Sequence, residues 1–188
     1  MKTKVYFAMM ALLILSACGS GDVKTEKISI EGNQKKMQAL AKEFPSFKNI
    51  IMLELKKAQD KINQANKISN SKEKASLLSE ANVILEAPFI ESLPTLKKEL
   101  VEVQDKQKKV QQMTLSAKQK QQAEQIMEEA NNIIVEVNGI LSNGVASAEE
   151  ANDLLVEKSS SLRSASSALS HFCWPNSLEF GFFVTTIF

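Results

Sequence analysis

From position 46 onwards, apolar residues recur at alternating steps of three and four, a spacing that predicts α-helices. One helix is predicted over about 46–68, and a second helix follows it. If the chain reverses near Asn70, the two apolar stripes face each other, as an antiparallel hairpin requires. The stripes consist of Ile51, Leu55, Ala58, Ile62 and Ala65 on the first helix and Ala75, Leu78, Ala81 and Leu85 on the second.

A second hairpin is predicted around Gly144, which follows an apolar stripe as a helix-ending glycine does. Ser147 and Glu150 have the spacing of a capping box that opens the next helix. Lys158 falls opposite Ala130, where its stem can cover apolar surface while its ammonium reaches water. The other facing pairs are apolar: Ile140 with Ala148, Val137 with Ala151, Ile133 with Leu155, Ile126 with Leu162, and Ala123 with Ala165.

Between these hairpins, Pro88 and Pro94 indicate a break, and Thr95 is the predicted cap of a further helix. Reversal near Thr114 would place Val103 against Ile126 and Leu96 against Ile133, and Ser116 with Gln119 forms a second predicted capping box. The chain around this reversal is rich in glutamine and lysine, so it should project into water. We predict an interaction tip here, with candidate residues Lys109, Gln112, Lys118 and Lys120.

These patterns predict an all-α protein: an elongated bundle of antiparallel helical hairpins with about five long helices and coiled-coil-like packing. A short helix is expected from Asn33 to Phe44, ended by Pro45. We expect residues 33–170 to form a single helical domain. The same spacing permits coiled-coil pairing between two copies, so a homo-oligomer is a second expectation.

A short sequence echo recurs in three predicted helices: Glu80-Ala81-Asn82, Glu129-Ala130-Asn131 and Glu150-Ala151-Asn152. The unequal spacings exclude a regular solenoid with a fixed period. We interpret the alanine as the site of a close helix crossing and the asparagine as facing water. The alternative is an ancestral duplication.

The amino-terminal segment has the features of an export signal. Lys2 and Lys4 precede an uninterrupted apolar run over 5–15, which is shorter than the roughly 20 residues needed to span a bilayer. The Leu15-Ser16-Ala17-Cys18 sequence, followed by Gly19, resembles the lipobox of bacterial lipoprotein precursors. That resemblance implies lipidation of Cys18, cleavage after Ala17 and acylation of the new amino terminus. The alternatives are an ordinary secretory signal and an uncleaved anchor.

The resemblance implies a signal peptide over 1–17 and an extracytoplasmic protein of the bacterial cell envelope, anchored in the membrane through Cys18. In a Gram-negative host, Gly19 would direct it to the outer membrane. The polar residues 18–32 are predicted to be a flexible tether with a reach of roughly 20 Å. The chain carries 23 basic and 22 acidic residues; loss of Lys2 and Lys4 changes the net charge from +1 to −1. This near-neutral balance argues against a nucleic-acid partner.

The last segment, residues 171–188, contains five of the nine phenylalanines and the only tryptophan and histidine of the chain. Three interpretations stand: an edge strand or hydrophobic peg, a membrane- or partner-seeking tail, or an out-of-frame ending without selected function. With Cys18 lipidated, Cys173 has no partner within the chain, which excludes a disulfide-stabilised fold.

Candidate catalytic chemistry is sparse. A single histidine, His171, excludes a multi-histidine metal site and leaves a histidine-based triad without support, and the neighbouring carboxylates Glu128/Glu129 and Glu149/Glu150 point in different directions around a helix. We therefore expect no enzyme activity, cofactor or metal. The expected function is a scaffold or interaction module with an envelope or extracellular protein partner. The alternative is a lipoprotein that binds a lipid or small apolar ligand.

Overall fold

A computed structural model describes residues 23–173, and all regular secondary structure in this range is helical. The elements are α1 (Val23–Glu43), a 3-10 turn (Pro45–Phe47), α2 (Lys48–Asn66), α3 (Ser71–Leu85), α4 (Pro88–Gln111), α5 (Ala117–Asn143) and α6 (Ala148–Cys173). The predicted all-α class is confirmed. The signal segment, Cys18 and residues 174–188 lie outside the described residues.

The chain divides into two compact units at the junction of Ala87 and Pro88, where we expected a single domain over 33–170. Over residues 23–173, each unit contributes three α-helices. In both, the first and third helices run in the same direction, and the second runs against them. The described part of unit 1 comprises α1 to α3, and that of unit 2 comprises α4 to α6.

In unit 1, α2 and α3 form the predicted antiparallel hairpin. The Asn70 side chain caps α3 by accepting hydrogen bonds from the backbone of Lys72 and Glu73. An ion pair of 2.7 Å joins Lys61 Nζ to Glu80 Oε2, in the predicted register. The apolar stripe is buried between the helices; its fully or almost fully buried members are Ile51, Ala58, Ala65, Ala75, Leu78, Ala81 and Leu85.

Helix α1 begins at Val23, ten residues before the expected start at Asn33. Residues 23–32, expected to be part of the tether, are helical because side chains of α3 hold them. Asn82 of α3 accepts a hydrogen bond of 2.7 Å from Asn33 and donates one of 2.9 Å to Ser29. Burial of Ile30 adds an apolar contact to this polar one.

In unit 2, the predicted start of α4 at Thr95 is wrong, because the helix begins seven residues earlier at Pro88. Proline is favoured at the first helical position, where its missing N–H has no intrahelical acceptor. Pro94 lies inside the helix and removes one backbone hydrogen bond. The full burial of Phe89 and Leu93 on this first part of the helix offsets that loss.

The main partner of α4 is α6, which runs parallel to it, while α5 returns antiparallel. The predicted contact of Val103 with Ile126 is wrong. Gln107 Nε2 donates instead to Met127 O at 3.2 Å and to Asn131 Oδ1 at 3.1 Å. These hydrogen bonds place α5 more than one helical turn away from its predicted register with α4. The apolar stripe of α4 is directed mainly to α6. Periodicity within α4 does not show which of two neighbouring helices its stripe will contact.

The predicted hairpin of α5 and α6 is confirmed. Gly144 ends α5 with φ 71°, the left-handed region that glycine adopts without strain. Ser147 accepts a hydrogen bond from the Glu150 backbone, while the Glu150 carboxylate accepts one from Ala146 N. The Lys158 ammonium makes an ion pair of 2.7 Å with Glu136. Hydrogen bonds to Glu136 and then Glu157 raise the pKa of Lys158 above its ordinary value.

Candidate functional site

The predicted interaction tip lies where α4 ends and α5 begins. We define the tip as residues 108–120. Its fold follows from two local features: backbone hydrogen bonds from Gln112 to Lys109 and from Met113 to Val110 close the end of α4, and the predicted capping box of Ser116 and Gln119 opens α5. Val110, next to the last residue of α4, and Ala123, in the second turn of α5, are buried. The tip is therefore a hairpin end held by its own caps.

All four predicted tip residues are exposed, and the structure places them together on the two arms of this hairpin end. Lys109 and Gln112 belong to the α4 side, and Lys118 and Lys120 belong to the first turns of α5. Residues 108–120 contain four lysines and no acidic residue. One of these, Lys108, makes an exposed ion pair of 3.4 Å with Asp105. The tip thus presents ammonium groups and side-chain amides to solvent, which suits the binding of carboxylates on another molecule.

A second polar cluster joins α4 to α6. We call it the polar seam: Glu99, Glu102, Lys106, Ser159, Arg163 and Ser166. Arg163 Nε donates to Glu99 Oε1 at 2.6 Å, and the same glutamate accepts a hydrogen bond from Ser159. Ser166 Oγ donates to Glu102 Oε1 at 2.8 Å. All of these residues except Ser159 border an open groove of about 410 Å³.

The charges of the polar seam are paired within it. Glu102 accepts hydrogen bonds from Lys106 and Ser166, and the Lys106 charge lies beside it, which together hold the pKa of Glu102 below its ordinary value. This stabilising contribution is present at neutral pH and is lost as the pH falls through the lowered pKa. Because each carboxylate accepts hydrogen bonds from donors on the facing helix, the seam holds the two parallel helices in register.

Three asparagines, expected to face water, form hydrogen bonds with neighbouring helices; Asn131 is also exposed, as expected, whereas Asn82 and Asn152 are half-buried. Asn82 contacts α1, as described above, and Asn131 accepts the hydrogen bond from Gln107. Asn152 Oδ1 accepts one of 2.6 Å from the backbone N–H of Phe89, in the first turn of α4. The preceding alanines, Ala81, Ala130 and Ala151, are fully buried, as the interpretation of close helix crossings requires. The sequence echo was the signal for these bonds.

Comparisons with protein-family models, curated proteins and solved structures gave no match. Among residues 23–173, no helix combines the length and apolarity needed to cross a bilayer. The same residues contain no group of three or more histidine, cysteine, aspartate or glutamate side chains arranged to hold a metal ion.

The other residues that the sequence singled out lie on helix surfaces, at helix ends or outside the described residues. Glu128, Glu129 and Glu149 are exposed on helix surfaces, and the Glu150 carboxylate caps the start of α6. Helix α6 ends at Cys173, three residues beyond the expected end at residue 170. His171 and the half-exposed Cys173 lie in its last turn. Cys18 and the cleavage site at Leu15, Ser16 and Ala17 lie outside the described residues. The tip is the predicted site that the structure assembles.

Proposed function

We propose that this protein is a lipid-anchored extracytoplasmic lipoprotein of the bacterial envelope that binds another protein through its tip. The lipobox resemblance at Cys18 supports the anchor. The observation that supports binding is the tip itself, where four lysines and no acidic residue are held at one hairpin end. The proposed partner is an envelope or extracellular protein with an acidic surface, because ammonium groups complement carboxylates.

The interior of unit 2 supports a binding module over the alternative of a carrier for lipid or small apolar ligands. Leu93, Leu96, Leu155, Leu162 and Leu169 have no accessible surface. Side chains packed to this degree occupy the space that an apolar ligand would need. A unit packed in this way offers its outer surface, and not its interior, to a partner.

Cross-linking in cells tests the proposal. A photo-reactive residue in place of Gln112 is expected to give one defined protein adduct. Charge reversal at Lys109, Lys118 and Lys120 to glutamate should reduce that adduct by about tenfold, since three favourable charge contacts become repulsive. Adducts are separated by gel and identified by mass spectrometry.

The control carries the same photo-reactive residue at Asn143, an exposed position at the other end of α5. Equal adducts at both positions would contradict binding at the tip. Absence of an adduct together with a co-purifying lipid would favour the carrier. An adduct with a second copy of the chain would identify the tip as a self-association surface.

A further inference from the structure

The near-neutral charge of the whole chain conceals two units of opposite sign. Within residues 23–87, twelve lysines stand against eight acidic residues, a net charge of +4. Within residues 88–173, nine basic residues stand against twelve acidic ones, a net charge of −3. The basic unit is the one whose first helix follows Cys18. Charge asymmetry between two halves of a chain is a feature of proteins that interact with anionic surfaces such as membranes.

The positive charge of unit 1 is concentrated at one end. Hydrogen bonds from Ser29 and Asn33 to Asn82 set α1 parallel to α3, which places Val23 level with about Ser76. Ser76 is five residues after the start of α3, so the start of α1 lies about 8 Å along the axis from the α2–α3 turn. The beginning of α1 and this turn therefore share one end of unit 1.

We define this region, residues 23–28 and 60–77, as the anchor end. Six of its residues are lysines and three are acidic, whereas the rest of unit 1 has six lysines and five acidic residues. Lys27, Lys67 and Lys72 are exposed. The lysines are Lys24, Lys27, Lys61, Lys67, Lys72 and Lys74, and the acidic residues are Glu26, Asp60 and Glu73.

The chain allows the anchor end little distance from a membrane that holds Cys18. Only four residues separate Cys18 from Val23, the first residue of α1. Even a fully extended connection of five steps spans at most about 18 Å. This limit brings the lysines within reach of the layer where lipid phosphates attract cations, which extends over roughly a Debye length of 8 Å.

We propose that the anchor end docks on anionic phospholipid headgroups, so that the lipid holds the chain while the lysines orient unit 1 on the membrane surface. The inference rests on the proposed anchoring at Cys18. Lipid headgroups are the favoured occupant because the acylated residue brings that surface, and no other, to the lysine-rich end. Unit 2 has a net charge of −3 over residues 88–173, so as a whole it has no net attraction to the same headgroups.

Lysine modification on the intact lipidated protein tests the docking. The protein is reconstituted in vesicles of phosphatidylglycerol with phosphatidylcholine or of phosphatidylcholine alone, and treated with a neutral, water-soluble amine reagent. Modification of Lys27, Lys67 and Lys72, followed by mass spectrometry, is expected to be about tenfold slower on the anionic vesicles. High salt should restore the faster rate.

Exposed lysines elsewhere in unit 1, Lys35, Lys42 and Lys48, are the internal control and should react at equal rates on both vesicles. A triple charge reversal, Lys27→Glu, Lys67→Glu and Lys72→Glu, should remove the protection of the remaining Lys74. The matched reversal of the three control lysines, with the same change in net charge, should preserve it. Circular dichroism verifies that both variants remain helical.

The outcomes separate docking from anchoring. Protein that floats with both kinds of vesicle but reacts equally on both overturns the docking alone. Equal protection of the control lysines also overturns it, because the effect would then be general to the unit. Protein that fails to float with phosphatidylcholine vesicles overturns the anchoring, and the docking that rests on it.

Discussion

Replacing Cys18 by serine is expected to abolish the incorporation of fatty acid into the protein and to leave residues 1–17 attached. The thioether requires the cysteine sulfur, which a hydroxyl does not replace in this chemistry. Each buried methylene contributes about 0.8 kcal/mol to anchoring, and one acyl chain alone holds only marginally, so loss of all the chains removes the stable attachment. Growth with a labelled fatty acid, followed by gel and mass analysis, measures the effect.

The matched control for Cys18→Ser is Ser20→Ala, which changes a neighbouring polar residue and keeps the Leu15-Ser16-Ala17-Cys18 sequence. This variant should incorporate the label as the wild type does. Equal labelling of Cys18→Ser and wild type would contradict lipidation at this residue. If neither the wild type nor Cys18→Ser carries the label, the ordinary secretory signal becomes the better interpretation.

Replacing Asn152 by alanine is expected to destabilise unit 2 by about 1–3 kcal/mol, the usual effect of leaving a buried donor without its partner. The Asn152 side chain accepts the hydrogen bond from Phe89 N at 2.6 Å, and Phe89 is fully buried. The variant removes this acceptor from the first turn of α4. Urea unfolding followed by circular dichroism gives the change in free energy of unfolding.

Two comparison variants isolate this hydrogen bond. Asn152→Asp keeps an oxygen acceptor at the same place and should retain most of the stability. Asn132→Ala makes the same substitution at an exposed position of α5 and should change stability by no more than about 0.5 kcal/mol. Equal effects of the alanine substitutions at 132 and 152 would show that the contact with Phe89 contributes nothing.

Sequence periodicity predicted the helices whose apolar stripe is continuous and whose ends carry local signals. Ala58, Ala65 and Leu78 are buried as the spacing required. The capping box of Ser116 and the glycine end at Gly144 are interactions between near neighbours in the chain, which a local pattern can express. For the same reason, the tip and its exposed lysines were predictable before the fold was known.

Features that depend on distant residues were not predictable. Val23 to Gly32 have no helical apolar pattern of their own and are held by Asn82, far along the chain. Pro94 is tolerated because Phe89 and Leu93 are buried against other helices, a compensation that no local rule contains. The choice of α6 over α5 as the main neighbour of α4 is likewise a competition among three apolar stripes.

The asparagines of the sequence echo lie between these two cases. The pattern identified three comparable positions, and the alanines are buried as interpreted. The role of Asn82, Asn131 and Asn152 depended on a partner from another helix in each case: Asn33, Gln107 and Phe89. Recurrence of a polar residue beside a buried alanine is thus a signal for an interhelical hydrogen bond.

The intact mass of the protein extracted by detergent from its native membrane tests the central claim, that Cys18 is a lipid anchor, most directly. The predicted result is a mass that lacks residues 1–17 and is raised by a diacylglyceryl group and an amide-linked acyl chain. An unlipidated mass would contradict the anchor, and the docking of the anchor end would fall with it. The same spectrum determines whether residues 174–188 belong to the mature protein.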